Sequence, residues 1–372
     1  MTPKEEHPAA TERAISRKAW FFVALWTAGI VAIYAVIGAT GIKTMRRYTA
    51  ETHKLRQAWL ASPATLLDEK LPAFAPSPTA TPVTVSVLVN RIGGFILQES
   101  TWEADFDIAF RWRGAGIDPG KTFRIANGEI LRRDLEISLV RNGEHYERCH
   151  VRARVEQAFD PSRIPFGDAA LIVAIEDPAH DAQTMVYRVG GAGIHVSPVG
   201  YSQAVKVTKT FAGTKYFSYP VNGAKPWGNV ADVYSQFVFA MLVHLRGWEI
   251  YTRMFQVLFG SVALALLALF LKPYHSSSRF DLGIGAFFAA VGNNIYLGTQ
   301  LPPGDRISLT VLVNMLGLLT IFLTLVASSI SLHIFHTRGQ QRLSHIFDWI
   351  TVAVLAIAYL TVNLLLPYAA MP

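Results

Sequence analysis

The clearest chemical signal lies between Arg279 and Pro303, where the chain reads RFDLGIGAFFAAVGNNIYLGTQLPP. After Asp281 the segment carries no charge, and as a helix it is long enough to cross the ~30 Å hydrocarbon core of a bilayer. At helical spacing Asp281, Gly285, Phe288, Gly292, Tyr296 and Thr299 share one face. With Gly283, Asn293, Asn294 and Gln300 alongside, the helix is too polar and too thin to sit comfortably against acyl chains. Polar groups at membrane depth need protein or water around them. The segment is therefore expected inside a bundle, and one explanation is that it lines a pore. Covalent chemistry has no comparable signal. There is no GxSxG, HExxH or phosphate-loop pattern, so neither an enzyme nor a cofactor is expected. Cys149 is the only cysteine, which rules out an intrachain disulfide, a CxxC metal site and a redox pair. Among the scattered histidines, His333 and His336 lie at a membrane end and read as interfacial rather than as metal ligands.

The elements that must position this helix follow from composition. The 372-residue chain is 51% hydrophobic and only 16% charged, a membrane-protein balance. Apolar runs long enough to span occur at Trp20 to Ile42, Met254 to Leu271, Leu282 to Leu301, Ile307 to Leu332 and Trp349 to Pro372. The net charge of +7 comes from dispersed residues with no nucleic-acid motif, so a pull toward anionic lipid is expected and nucleic acid is not. Lys272 and Arg279 follow the second span and Arg338 and Arg342 follow the fourth, which puts those loops in the cytoplasm. The domain between the first and second spans, and the carboxyl terminus, then lie outside. The first span is expected to stay as an anchor; a long signal cleaved near Ala39-Thr40-Gly41 is the alternative.

The organisation expected is a cytoplasmic segment at 1–19, a first membrane helix at 20–42, a helical and proline-rich linker at 43–82, a β domain at 83–250 and a four-helix membrane domain at 251–372. From Val83 the hydrophobic period becomes two. On the run Trp102 to Trp112, the residues Trp102, Ala104, Phe106, Ile108, Phe110 and Trp112 fall on one face, with Glu103, Asp105, Asp107 and Arg111 on the other. Further strands are expected at Val83 to Val89, Glu129 to Val140, His145 to Glu156, Ala170 to Ile175, Met185 to Val189, Val205 to Phe211 and Val233 to Leu245. Asn127-Gly128, Asn142-Gly143, Pro161-Ser162, Gly190-Gly191 and Asn222-Gly223 read as turns. Short strands at this spacing predict an antiparallel β-sandwich.

In this order the pieces resemble the pentameric ligand-gated ion channel family, in its bacterial form without the disulfide. TWEADFDIAFRWRG is similar to the family's second-strand motif, and FRIAN to the segment ending at Asn127. FDPSRIPFGDAALIVAIED resembles the Cys-loop segment, and HLRGWEIYTRMFQVLF the entry into the first channel helix. The likeness covers roughly residues 83–368 and rests on collinear order. Departures are the extra residue before Asp168, the missing early proline of the first channel helix, and the additional span at Trp20 to Ile42.

The resemblance implies a homopentamer in a bacterial inner membrane, with residues 83–250 periplasmic, gated by an unknown small molecule. It turns the face of Asp281, Gly285, Phe288, Gly292, Tyr296 and Thr299 toward the axis, with Asp281 as a cation-favouring ring and Phe288 as a hydrophobic constriction. The residue types leave other roles open. Asp281 could pair with Arg279 or Lys272, Gly285 and Gly292 could allow close helix packing, and Phe288 could turn into the bundle. Coupling is assigned by resemblance to Pro165, Phe166, Asp168, Arg246 and Pro302, with Arg246 in charge contact with a carboxylate such as Asp168. The ligand is expected near Tyr216, Phe217, Tyr219 and Trp227, with Arg111 across a subunit interface; loop packing and solvation are the plainer alternatives. A second functional class also fits: a non-conducting sensor or assembly subunit that keeps the channel fold and binds a membrane partner through Trp20 to Ile42.

Overall fold

The structure, a computed structural model, describes residues 16–61, 75–197, 205–219, 233–245, 247–271, 276–302, 306–338 and 340–371. Two compact units emerge, one within residues 1–43, 255–294 and 311–368, the other within 44–254, 295–310 and 369–372. Helix α1 (Arg17–Ala61) contributes to both.

The second unit is rich in β structure. Strands β1 (Thr81–Ile96), β2 (Thr101–Arg113), β4 (Gly128–Arg141), β5 (Glu144–Glu156) and β7 (Met185–Val196) form a sheet in the order β4-β5-β2-β1-β7. Strands β3 (Arg124–Ile125), β6 (Asp168–Glu176), β8 (Val205–Ser218) and β9 (Val233–Leu245) form another in the order β3-β6-β9-β8. A single turn of helix, α2 (Pro119–Thr122), precedes β3. The period-two pattern sets this arrangement. Trp102, Ala104, Phe106, Ile108 and Phe110 are fully buried, and on the other face Glu103 meets Arg152 at 2.7 Å and Asp107 meets His150 at 2.7 Å. Inward residues of both sheets share one core, where Phe106 meets Phe239 edge to face at 5.3 Å. Each such phenyl stabilises the fold by about 1.5–3 kcal/mol through burial.

Three sequence expectations change here. The pairing is not antiparallel throughout, because β7 runs parallel to β1. It reaches β1 by crossing from β6 in the other sheet, so no hairpin fixes its direction. Gly190-Gly191 is not a turn; it lies inside β7 at the register shift opposite Val85 and Val87, where a Cβ on Gly190 would strike Ser86 Oγ. The linker ends before Pro82, which already belongs to β1. Asn142-Gly143 does form a two-residue turn, with φ of 51° and 72°, the left-handed geometry that joins twisted strands well. Asn222-Gly223 lies outside the described residues.

Five described helices are long and apolar enough to cross a membrane, so this is a membrane protein with a sheet-rich domain. They are α1, α3 (Gly247–Ala268), α4 (Ser276–Gln300), α5 (Leu309–Arg338) and α6 (Gln341–Ala370). Instead of stopping near Ile42, α1 continues as one helix of 45 residues, roughly 68 Å at 1.5 Å per residue. Residues 43–61 contain no glycine or proline to stop it, and Arg47 pairs with Glu51 one turn on. In the first unit its packed stripe is Ala19, Val23, Ile30, Tyr34, Gly38 and Gly41. Tyr34 bonds Thr320 of α5 at 2.6 Å and Trp26 donates to Thr351 of α6 at 3.2 Å. Gly38 and Gly41 let Val362 and Leu366 of α6 approach closely.

Candidate functional site

Helix α4 packs along one narrow stripe. Arg279, Gly283, Ala286, Ala290, Asn293 and Leu297 are buried, each three or four residues from the next. All of Asp281, Gly285, Phe288, Gly292, Tyr296 and Thr299 are exposed. Phe288 is 68% exposed and does not turn into the chain's own bundle. A Cβ added to Gly285 or Gly292 would meet nothing within 4 Å among the described residues, so neither glycine serves close packing there. Gly283 does, against Leu325 of α5.

The possible Asp281–Arg279 pair is not formed. Arg279 is 1% exposed, donates to Asp348 of α6 at 2.5 Å, and donates to the carbonyls of Leu269 and Leu271 in the turn after α3 at 2.8 and 2.7 Å. A buried guanidinium is held by the carboxylate and carbonyls aimed at it. Asp281 stays exposed and accepts from Ser277 Oγ at 3.3 Å. Lys272 lies outside the described residues.

The proline corner begins where Asp160 accepts from the Ser162 amide at 2.9 Å, opening a turn at Pro161–Arg163. Ile164–Pro165 is a cis peptide, and Pro165 is buried. Phe166 is 5% exposed and packs on Trp248 and Tyr251 of α3, with ring centroids at 5.4 and 5.7 Å. Gly247 is required beneath it, because a Cβ there would collide with the Phe166 ring. Thr310 at the start of α5 lies 3.4 Å from the Ile164 carbonyl and donates to it. Arg163 is buried, its Nε and Nη2 without a hydrogen-bond partner among the described residues, and burial pushes its guanidinium down.

Asp168 takes partners the sequence did not suggest. Its carboxylate accepts from Arg56 Nη1 of α1 at 2.7 Å and contacts His244 Nδ1 at 2.8 Å. Arg246, expected in this role, lies outside the described residues. Pro302 is half-buried. Just beyond it, Arg306 pairs with Glu51 of α1 at 2.9 Å and lies over the Tyr48 ring at 5.5 Å.

Of the expected ligand residues, Tyr219 stands in the most developed polar cluster. Its hydroxyl donates to Glu176 at 2.7 Å, and Glu176 is fully buried between Arg124 at 2.6 Å and Gln236 at 2.6 Å. Burial, then the Glu176 carboxylate, pushes the Tyr219 phenol up to about 12. The phenol therefore stays a donor at neutral pH. Phe217 stacks edge-on against Tyr219 at 4.8 Å. A cavity of about 470 Å³ opens beside Tyr219, lined also by Arg124, Gly128, Glu129 and Arg133. The two arginines went unnoticed in sequence because they lie on different strands from Tyr219 and share no spacing with it. Tyr216 is half-buried, and Trp227 lies outside the described residues. Arg111 is exposed on the other sheet, 3.7 Å from Glu144 and over the Tyr146 ring, and is not brought to Tyr219 within one chain.

No family model matches the chain, and no curated protein matches it.

Proposed function

We propose that this chain is one subunit of a homopentameric, ligand-gated, cation-permeable channel in a bacterial inner membrane, on the plan of the pentameric ligand-gated ion channels. The sheet-rich domain is then a periplasmic β-sandwich, α3 to α6 are the four channel helices, and α1 is an addition. The outward face of α4 carries this proposal. Asp281, Asn294 and Gln300 are exposed on a helix apolar enough to span a membrane. Unmet polar groups in hydrocarbon cost several kcal/mol each. Identical helices arranged around water remove that cost, and closed symmetry makes each position a ring. Asp281 then concentrates cations at one mouth, and Phe288 closes the path by dewetting. A small ligand at Tyr219 and Arg124 would act through the corner at Pro165 and Phe166, which bears on α3.

The test is current through purified protein in planar bilayers under a NaCl gradient. Phe288→Ala is expected to conduct without added ligand, at least tenfold above wild type, because removing an apolar ring lets the constriction wet. Asp281→Asn in that background should lower the preference for Na⁺ over Cl⁻. A five-chain Phe288→Ala assembly that stays silent would overturn the channel and favour a non-conducting sensor.

A further inference from the structure

We infer that α1 belongs to the gating apparatus: its outer half clamps the coupling corner and the α4–α5 connection to one rigid rod, with Arg56 as the cation that positions Asp168. The gating part of this rests on the channel proposed above; the clamp itself rests on contacts within the sheet-containing unit.

Residues 44–57 carry a packed face of α1. Met45 is buried, and Tyr48, Thr49, Thr52 and Arg56 are half-buried, while Arg46, Arg47, His53 and Lys54 are exposed. Three separate parts of the fold meet this face. Thr49 Oγ1 donates to the Ala369 carbonyl at the end of α6 at 3.1 Å. Tyr48 and Glu51 hold Arg306, which follows α4. Arg56 holds Asp168, the first residue of β6.

The last contact differs from a surface ion pair. The Asp168 side chain is only 5% exposed and the Arg56 side chain 30%. A carboxylate withdrawn from water needs its cation far more than an exposed one does. Glu51 and Arg56 stand about 7.5 Å apart along the helix axis, at 1.5 Å per residue. A helix does not stretch, so the spacing between the Asp168 end of β6 and the Arg306 connection is fixed while both pairs hold. A displacement of the corner relative to that connection beyond the reach of these side chains breaks one pair. The contacts at Glu51 and Arg56 thus bias the resting arrangement, and α1 sets the threshold for opening.

The experiment uses the full chain in lipid nanodiscs and in bilayers, with Arg56→Ala, Arg56→Lys, Glu51→Gln and the exchange Arg56→Asp with Asp168→Arg. Amide hydrogen exchange at residues 168–171 should rise about tenfold in Arg56→Ala, with β1 and β2 unchanged. Arg56→Lys and the charge exchange should largely restore protection. In the conducting Phe288→Ala background, Arg56→Ala and Glu51→Gln should each raise open probability several-fold at unchanged single-channel conductance. Unchanged exchange and open probability in both variants, with current present, would overturn the clamp and leave the channel standing. Altered exchange rescued by charge exchange, in a protein that passes no current even as Phe288→Ala, would uphold the clamp and remove the channel.

Discussion

Glu147 shows how one carboxyl can make the sheet domain respond to pH. It is 6% exposed, accepting from the Gly120 amide and from Ser138 Oγ, both at 3.2 Å. Burial, and then the neighbouring Asp118 carboxylate, pushes its pKa above the ordinary range. The folded state therefore favours the protonated form more than the unfolded chain does. The stability this provides is complete below the unfolded value of ~4.3 and is lost as pH rises through the raised folded value. Glu147→Gln keeps the shape without the charge. Its Tm should exceed wild type at pH 8 and converge with it at pH 4; an equal difference at both pH values would refute the assignment. This environment was not readable from sequence, because the pairing register of β5 and the approach of α2 create it.

At the scale of elements, the buried pair Arg279–Asp348 decides where the helices begin. Hydropathy places the starts at Leu282 and Trp349, since a charge ordinarily marks a water boundary. The helices instead begin at Ser276 and Gln341 because the two charges neutralise each other inside the first unit. The same pair ties α4 to α6 and, through the Leu269 and Leu271 carbonyls, to the end of α3. Arg279→Met leaves Asp348 buried without its cation and should cost about 3–5 kcal/mol. Arg279→Met with Asp348→Leu should recover most of that loss. Chemical denaturation in detergent micelles measures both; a double variant no better than the single one would mean that the carbonyl contacts, not the charge pair, hold the ends. The strands were more legible, because alternation in Trp102 to Trp112 is a local signal that burial then obeys. The extension of β7 was hidden by Gly190-Gly191, which reads as a turn, whereas Gly190 lies close against Ser86 of β1.

For the molecule as a whole, the exposed face of α4 is the feature that a single chain leaves unmet. Native mass spectrometry of the extracted protein should give five copies of the chain; a monomer that persists at high protein concentration would leave Asp281 and Asn294 facing lipid and refute the ring. The six face positions were legible because helical periodicity alone groups them, whereas Arg56 and Asp168 are 112 residues apart and only the fold joins them. The sole thiol has a practical consequence. Cys149 is fully buried against the Gly120 carbonyl, and burial pushes its pKa up to about 11. At neutral pH only about one molecule in ten thousand carries the reactive thiolate there. A cysteine placed at Gly285, Phe288 or Tyr296 would therefore be the only accessible thiol. Thiol reagents can report water along α4 position by position, with no need for a background stripped of its native cysteine.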